Sequence, residues 1–203
     1  WVDGGTTGGM TQLDSSLRNV DIGYDRDRYG ASGRYWFLEN LKFDLDYRRD
    51  DRSGTRPQLA SFGSVTTQLV APVDDATDRV DATVRYQGKG WFAQAGYYGS
   101  FYNTKAASLR WDNPFNAMAA GGTVGQMALA PDNSYNELGA SAGWYGLPFN
   151  STVTLSLATG KGEQDTGFLP YTANALIATD PLPASSLDAS LDTLRYDLTL
   201  TSQ

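Results

Sequence analysis

The strongest constraint in this sequence is a two-residue alternation of apolar and polar side chains. A β-strand turns successive side chains to opposite faces, so this period specifies strands with one apolar and one polar face. Residues 41–48 are the clearest case: Leu41, Phe43, Leu45 and Tyr47 alternate with Lys42, Asp44, Asp46 and Arg48. Residues 79–87 repeat the scheme, with Val80, Ala82, Val84 and Tyr86 set against Arg79, Asp81, Thr83, Arg85 and Gln87. Val153, Leu155 and Leu157 alternate with Thr152, Thr154 and Ser156, and Leu194, Tyr196, Leu198 and Leu200 with Arg195, Asp197, Thr199 and Thr201. Weaker alternation runs over residues 18–25, 91–102 and 138–145. The pattern predicts an all-β chain, an antiparallel up-and-down meander of about seven long strands with no helix.

Composition narrows the function classes. Histidine and cysteine are both absent. The chain therefore has no disulfide, no thiolate metal site and neither part of a c-type haem attachment signature, and it lacks the commonest general base and metal ligand. The net charge is −7 with no basic stripe, which excludes a nucleic-acid binder. No apolar run approaches the ~18 residues of a membrane helix. The first residues, Trp1-Val2-Asp3-Gly4-Gly5, are not a signal peptide, and that says nothing against export.

The connections between strands sort into two kinds. Short, turn-forming segments lie at 25–34, 87–90 and 145–150, and long segments at about 49–78, 103–134 and 160–192. In a meander every second connection lies at the same end, so the short turns gather at one end and the long loops at the other. Outer-membrane barrels have this asymmetry. Tyr35, Trp36, Tyr47, Trp91, Phe101 and Trp144 stand near strand ends, where interfacial aromatic girdles are placed. The expected domain organisation is one partial barrel segment over 1–203, with a flexible lead-in over 1–16. Seven strands would be an odd number with two free edges, so the fold is expected to be an open, curved part of a larger transmembrane barrel.

Magnitude decides which face meets lipid. A lysine or arginine facing lipid near the midplane costs ~2–4 kcal/mol, with acids costing less. Lys42, Asp44, Asp46, Arg48, Arg79, Asp81 and Arg85 are therefore the candidate lumen-facing residues, where they would touch water or a polar partner. Their mixed signs favour cross-strand ion pairs as the plain structural reading. Leu41, Phe43, Leu45, Val80, Val84, Val153, Leu155, Leu157 and Leu198 are the candidate lipid-facing residues. A soluble β-sandwich binding module, with the apolar face as its core, would show the same alternation. No catalytic, cofactor-binding or metal site is expected. Asp50, Asp51, Asp74, Asp75 and Asp78 could meet calcium in a loop, but their spacing matches no ligand loop. Gly160-Lys161-Gly162 lacks the upstream glycine of a phosphate loop.

Five stretches carry a family resemblance: Arg34-Tyr35-Trp36-Phe37-Leu38-Glu39-Asn40-Leu41; Tyr86-Gln87-Gly88-Lys89-Gly90-Trp91 followed by Gly96-Tyr97-Tyr98-Gly99-Ser100-Phe101; Leu109-Arg110-Trp111-Asp112-Asn113-Pro114-Phe115; Leu129-Ala130-Pro131-Asp132-Asn133; and Phe168-Leu169-Pro170-Tyr171-Thr172. In this order they resemble the MtrB/PioB family of decahaem-associated outer-membrane proteins, from about residue 17 onward. The resemblance implies an outer-membrane barrel in a Gram-negative bacterium that sheathes a periplasmic multihaem c-type cytochrome for transmembrane electron transfer. Family members often dock another cytochrome on the outer surface as well. Haem would sit on the partner, with no cofactor bound by this chain. Some family members carry a Cys-X-X-Cys near the mature N-terminus, and this sequence has none. A general porin or solute channel is the alternative function, needing no partner.

Overall fold

The structure is a computed structural model that describes residues 13–16, 18–62, 65–112 and 124–202. Nine strands are present among them: β1 (Gly23–Leu38), β2 (Leu41–Phe62), β3 (Val65–Gln87), β4 (Trp91–Thr104), β5 (Ser108–Asp112), β6 (Val124–Ala128), β7 (Asn133–Leu147), β8 (Ser151–Gly167) and β9 (Ser186–Thr201). Seven of them form one antiparallel sheet in the order β1-β2-β3-β4-β7-β8-β9, a meander as the alternation requires. β5 and β6 pair only with each other, as a small hairpin inserted between β4 and β7. Helix among the described residues is limited to one turn at Leu13–Ser16 and a 3-10 turn at Pro148–Asn150. β1 and β9 each pair with a single neighbour, so the sheet is open.

The strands are longer than alternation alone implies, and the expected boundaries change accordingly. The turn expected at 25–34 lies inside β1, and the chain reverses instead at Glu39-Asn40. Gly30 and Gly33 suggest a break, yet they sit in the ladder opposite Arg48 and Leu45. The long segment at 49–78 is a continuous two-stranded extension of β2 and β3, paired out to Phe62 and Val65. The segment at 103–134 contains the β5–β6 hairpin. The segment at 160–192 shrinks to 168–185, because β8 runs to Gly167 and β9 starts at Ser186. For the β2–β3 extension the cause is that charged and polar residues occupy both faces. Where both faces of a strand meet water the two-residue pattern disappears, while the backbone ladder continues. The lead-in at 1–16 lies outside the described residues apart from the helical turn.

Sorting of the connections survives these changes. The turns at Glu39-Asn40, Gly88-Lys89-Gly90 and Pro148–Asn150 all lie at one end of the meander. Gly90 adopts φ 77°, a left-handed conformation that suits glycine in a tight hairpin. Buried apolar residues among those described are limited to Ala71, Val73, Leu109 and Ala158, and no second sheet stacks on the seven-stranded one. A β-sandwich needs two stacked sheets with a shared apolar core, and the described residues form no such core.

Candidate functional site

The pairing register assigns every side chain of the sheet to a face, because directly opposed residues on antiparallel strands point the same way. Leu41, Phe43, Leu45 and Tyr47 of β2 share one face with Tyr86, Val84, Ala82 and Val80 of β3. The same face continues through Trp91, Ala93, Ala95 and Tyr97 of β4 and Trp144, Ala142, Ala140 and Leu138 of β7. It ends on Val153, Leu155 and Leu157 of β8 and Leu200, Leu198 and Tyr196 of β9. All nine expected lipid-facing residues fall on it. Its side chains are open to the surroundings: Leu157 is 52% exposed, Leu198 70% and Tyr196 79%. An apolar surface this extensive, contiguous across seven strands, is not sustained in water.

The apolar face is a band with two edges. At the turn end, Trp91 is paired with Trp144, and its ring centroid lies 5.1 Å from that of Tyr86. At the other end, Tyr47 and Phe101 stand beside Asp78, and the Tyr47 hydroxyl donates to the Asp78 carboxylate. Beyond Tyr47 the same face turns charged, with Arg49 bridging Asp78 at 3.0 Å. From Trp91 to Phe101 the strand covers about 33 Å, which a tilt of ~45° reduces to about 23 Å, close to the ~25 Å apolar band of outer-membrane barrels. Tyr35, Tyr47, Trp91, Phe101 and Trp144 all occupy this face. Trp36 does not: it pairs with Lys42 on the charged face. Adjacent strand residues point oppositely, so Tyr35 and Trp36 cannot serve one girdle together.

The opposite face gathers all seven expected lumen residues, together with charges outside that candidate set: Arg26, Arg28 and Arg34 on β1, Glu137 on β7 and Arg195 on β9. The expected cross-strand ion pairs between β2 and β3 do not form within the apolar band. There the register sets like against like: Lys42 opposite Arg85, Asp46 opposite Asp81 and Arg48 opposite Arg79. Lys42 and Arg34 instead both bind Asp44, the former at 2.8 Å. The Arg85 guanidinium lies 4.9 Å over the Phe92 ring. On β7 to β9, Arg195 reaches Glu137 at 3.1 Å, and the Tyr135 hydroxyl donates to Glu137 at 2.9 Å. Gly160 makes room for that phenol, since a Cβ there would stand 2.3 Å from the Tyr135 oxygen.

Past the band, the aspartates considered for calcium lie in strands and are engaged by cations. Asp50 accepts from Arg26 at 2.7 Å and from Arg28 at 2.9 Å. The Arg26 hydrogen bond, supported by Arg28 and opposed by partial burial, holds the Asp50 carboxyl down at about 2. Asp75 bridges Arg52 at 2.7 Å, Asp74 bridges Lys105 at 2.9 Å, and Asp51 bridges Arg49 at 3.0 Å. Among the described residues no three His, Cys, Asp or Glu side chains come together as a metal site. Of the Trp111-to-Phe115 stretch, Trp111 and Asp112 end β5, and the rest lies outside the described residues.

Comparison with known proteins agrees with this two-faced geometry. The family model for the outer-membrane β-barrel porin MtrB/PioB matches residues 1–203. The outer membrane protein MtrB of Shewanella baltica (strain OS185) is 28% identical over 208 residues, covering 100% of this chain and 28% of the relative. The chain thus spans 28% of the length of that relative.

Proposed function

The chain belongs to the MtrB/PioB family of outer-membrane β-barrel porins and resides in the outer membrane of a Gram-negative bacterium, and from this we propose that it walls a sheath around a periplasmic multihaem c-type cytochrome. The observation that carries the proposal is the sheet itself, with an uncovered apolar face on one side and a charged face on the other. Lipid covers the first. The second suits a hydrophilic protein, whose polar surface an apolar wall would strip of hydrogen bonds at high cost. The family is not an enzyme family, and in this reading the chain binds no cofactor. With neither cysteine nor histidine to attach a c-type haem, it leaves the haems on the partner, and electrons cross along them while the barrel excludes lipid. A second cytochrome docks at the long-loop end on the outer surface.

A general solute channel is the second reading, since the same charged face would also wet an open pore. Purification from outer membranes separates the two. The sheath reading expects haem absorbance to travel with the barrel and little ion conductance from the assembled complex. A haem-free isolate that conducts freely in planar bilayers would overturn it in favour of the channel.

A further inference from the structure

We propose that Arg48 and Arg79 form a two-guanidinium clamp for carboxylate side chains on an acidic surface of the protein held in the lumen; this rests on the sheath reading above. The two residues are opposed in register on the charged face, beside the far edge of the apolar band. Across the sheet, Arg48 is flanked by Gly30 and Arg79 by Ser100, so small residues leave both guanidinium groups open to the lumen. Most other cations on this face have an acid: Arg26 and Arg28 meet Asp50, Arg34 and Lys42 meet Asp44, Arg52 meets Asp75 and Arg195 meets Glu137, while Arg85 lies over the Phe92 ring and Arg56 stands far beyond the band. Among the described residues Arg48 and Arg79 bridge no carboxylate, although Asp46 and Asp81 line the same cavity of about 190 Å³ with them.

The register shows what the sheet forgoes. Like charges directly opposite destabilise a strand pair. Sliding β3 along β2 by two residues would keep every side chain on its own face. It would also set Arg48 against Asp81, Asp50 against Arg79 and Asp44 against Arg85. The chain instead keeps Arg49 opposite Asp78 on the other face and closes its hairpin at Phe62 and Val65. The outcome is two adjacent arginines without an acid, on the face turned from lipid. A fork of donors in that state matches carboxylates presented from outside the sheet.

The experiment compares the protein purified from outer membranes with R48Q/R79Q, R48E/R79E and D46N/D81N variants. Haem absorbance retained per barrel is followed through washes of rising salt, and unfolding midpoints are measured in denaturant. The clamp expects R48E/R79E to retain about tenfold less partner than wild type at moderate salt, with R48Q/R79Q intermediate. D46N/D81N retains at least as much as wild type, because it removes repulsion from an acidic partner. R48Q/R79Q unfolds at the same or a higher denaturant concentration, since a like-charge pair has been removed. Unchanged retention in R48E/R79E overturns the clamp while leaving the sheath standing. Loss of retention in D46N/D81N would mean a basic partner and also overturns it, as would a lower unfolding midpoint in R48Q/R79Q. If the wild type carries no haem partner at all, the sheath reading fails and the clamp falls with it.

Discussion

Ala140→Leu tests whether the apolar face meets fluid lipid or a packed surface, because the two environments give opposite signs. Ala140 sits on β7 between Ala95 and Leu157 in the pairing register, and it is exposed on the apolar face. Leucine adds three carbons. At about 0.8 kcal/mol per CH₂ removed from water, the upper limit is roughly 2.4 kcal/mol, and shading by Leu157 reduces the gain to about 1–2 kcal/mol. In a close-packed core the same enlargement would cost roughly 1–3 kcal/mol. Leu155→Arg, in the middle of the β8 apolar run, sets the scale from the other side, with an expected loss of ~2–4 kcal/mol. Ser156→Arg is the internal control. It lies on the charged face with Asp197 as its register partner, so its effect should stay within about 0.5 kcal/mol.

The assay is equilibrium urea unfolding of the protein folded into lipid vesicles, read by tryptophan fluorescence. A destabilised Ala140→Leu would refute lipid exposure of this face, since fluid acyl chains have no jigsaw to disturb. A Leu155→Arg loss no larger than that of Ser156→Arg would refute the face assignment itself.

Three further outcomes follow from individual contacts. Because the folded-state carboxyl of Asp50 is held at about 2, its pairing with Arg26 and Arg28 contributes fully above the ordinary carboxylate range near ~4 and fades as pH falls toward about 2. Pepsin should therefore cut the β1–β2 extension progressively faster across that window relative to an unfolded reference substrate, and Asp50→Asn should weaken that pH dependence; cleavage with the same profile in both would refute it. In single-tryptophan variants, brominated lipids should quench Trp91 and Trp144 strongly and Trp36 little, since Trp36 shares the face of Lys42. Gly160→Ala should destabilise by about 1–2 kcal/mol by driving the Tyr135 phenol from Glu137 and Thr193. Adding Tyr135→Phe should recover part of that loss in the same unfolding assay, and no recovery would mean the cost lies in the backbone.

Fold class and the division of side chains between two faces were legible in the sequence because both are written in the same two-residue period. Between Leu41 and Tyr47 one side of β2 is apolar and the other charged, so every second residue is constrained in character. Past Arg49 the constraint is lifted. Arg49 and Asp51 on one face and Asp50 and Arg52 on the other are all charged, and the period vanishes although the ladder with β3 runs on to Phe62. A reading based on alternation therefore ends the strand where the apolar band ends, not where the hydrogen bonds do. β1 was misjudged for a related reason. Its membrane half carries Gly30, Ser32 and Gly33, which look like a turn in isolation but are shielded by pairing to Arg48, Asp46 and Leu45.

Register was the part that side-chain pattern could not supply, and the candidate site depends on it. Alternation fixes only the parity of each residue, and a two-residue slip of β3 preserves parity throughout. On the charged face alone the slipped arrangement looks better, because it would turn like-charge rows into opposite-charge ones. Register is settled elsewhere, by the Arg49–Asp78 bridge at the band edge and by closure of the hairpin far beyond the bilayer. Those constraints act on residues that the periodicity passes over. They leave Arg48 beside Arg79 and Asp46 beside Asp81, so two rows of the charged face carry one sign each, between rows at Asp44 and Asp50 that pair internally. A wall stabilised only by its own salt bridges would present alternating, mutually neutralised charges to whatever fills the lumen. The two rows that stay unneutralised are where, in the sheath reading proposed above, a partner of complementary charge would be held at one position along the wall.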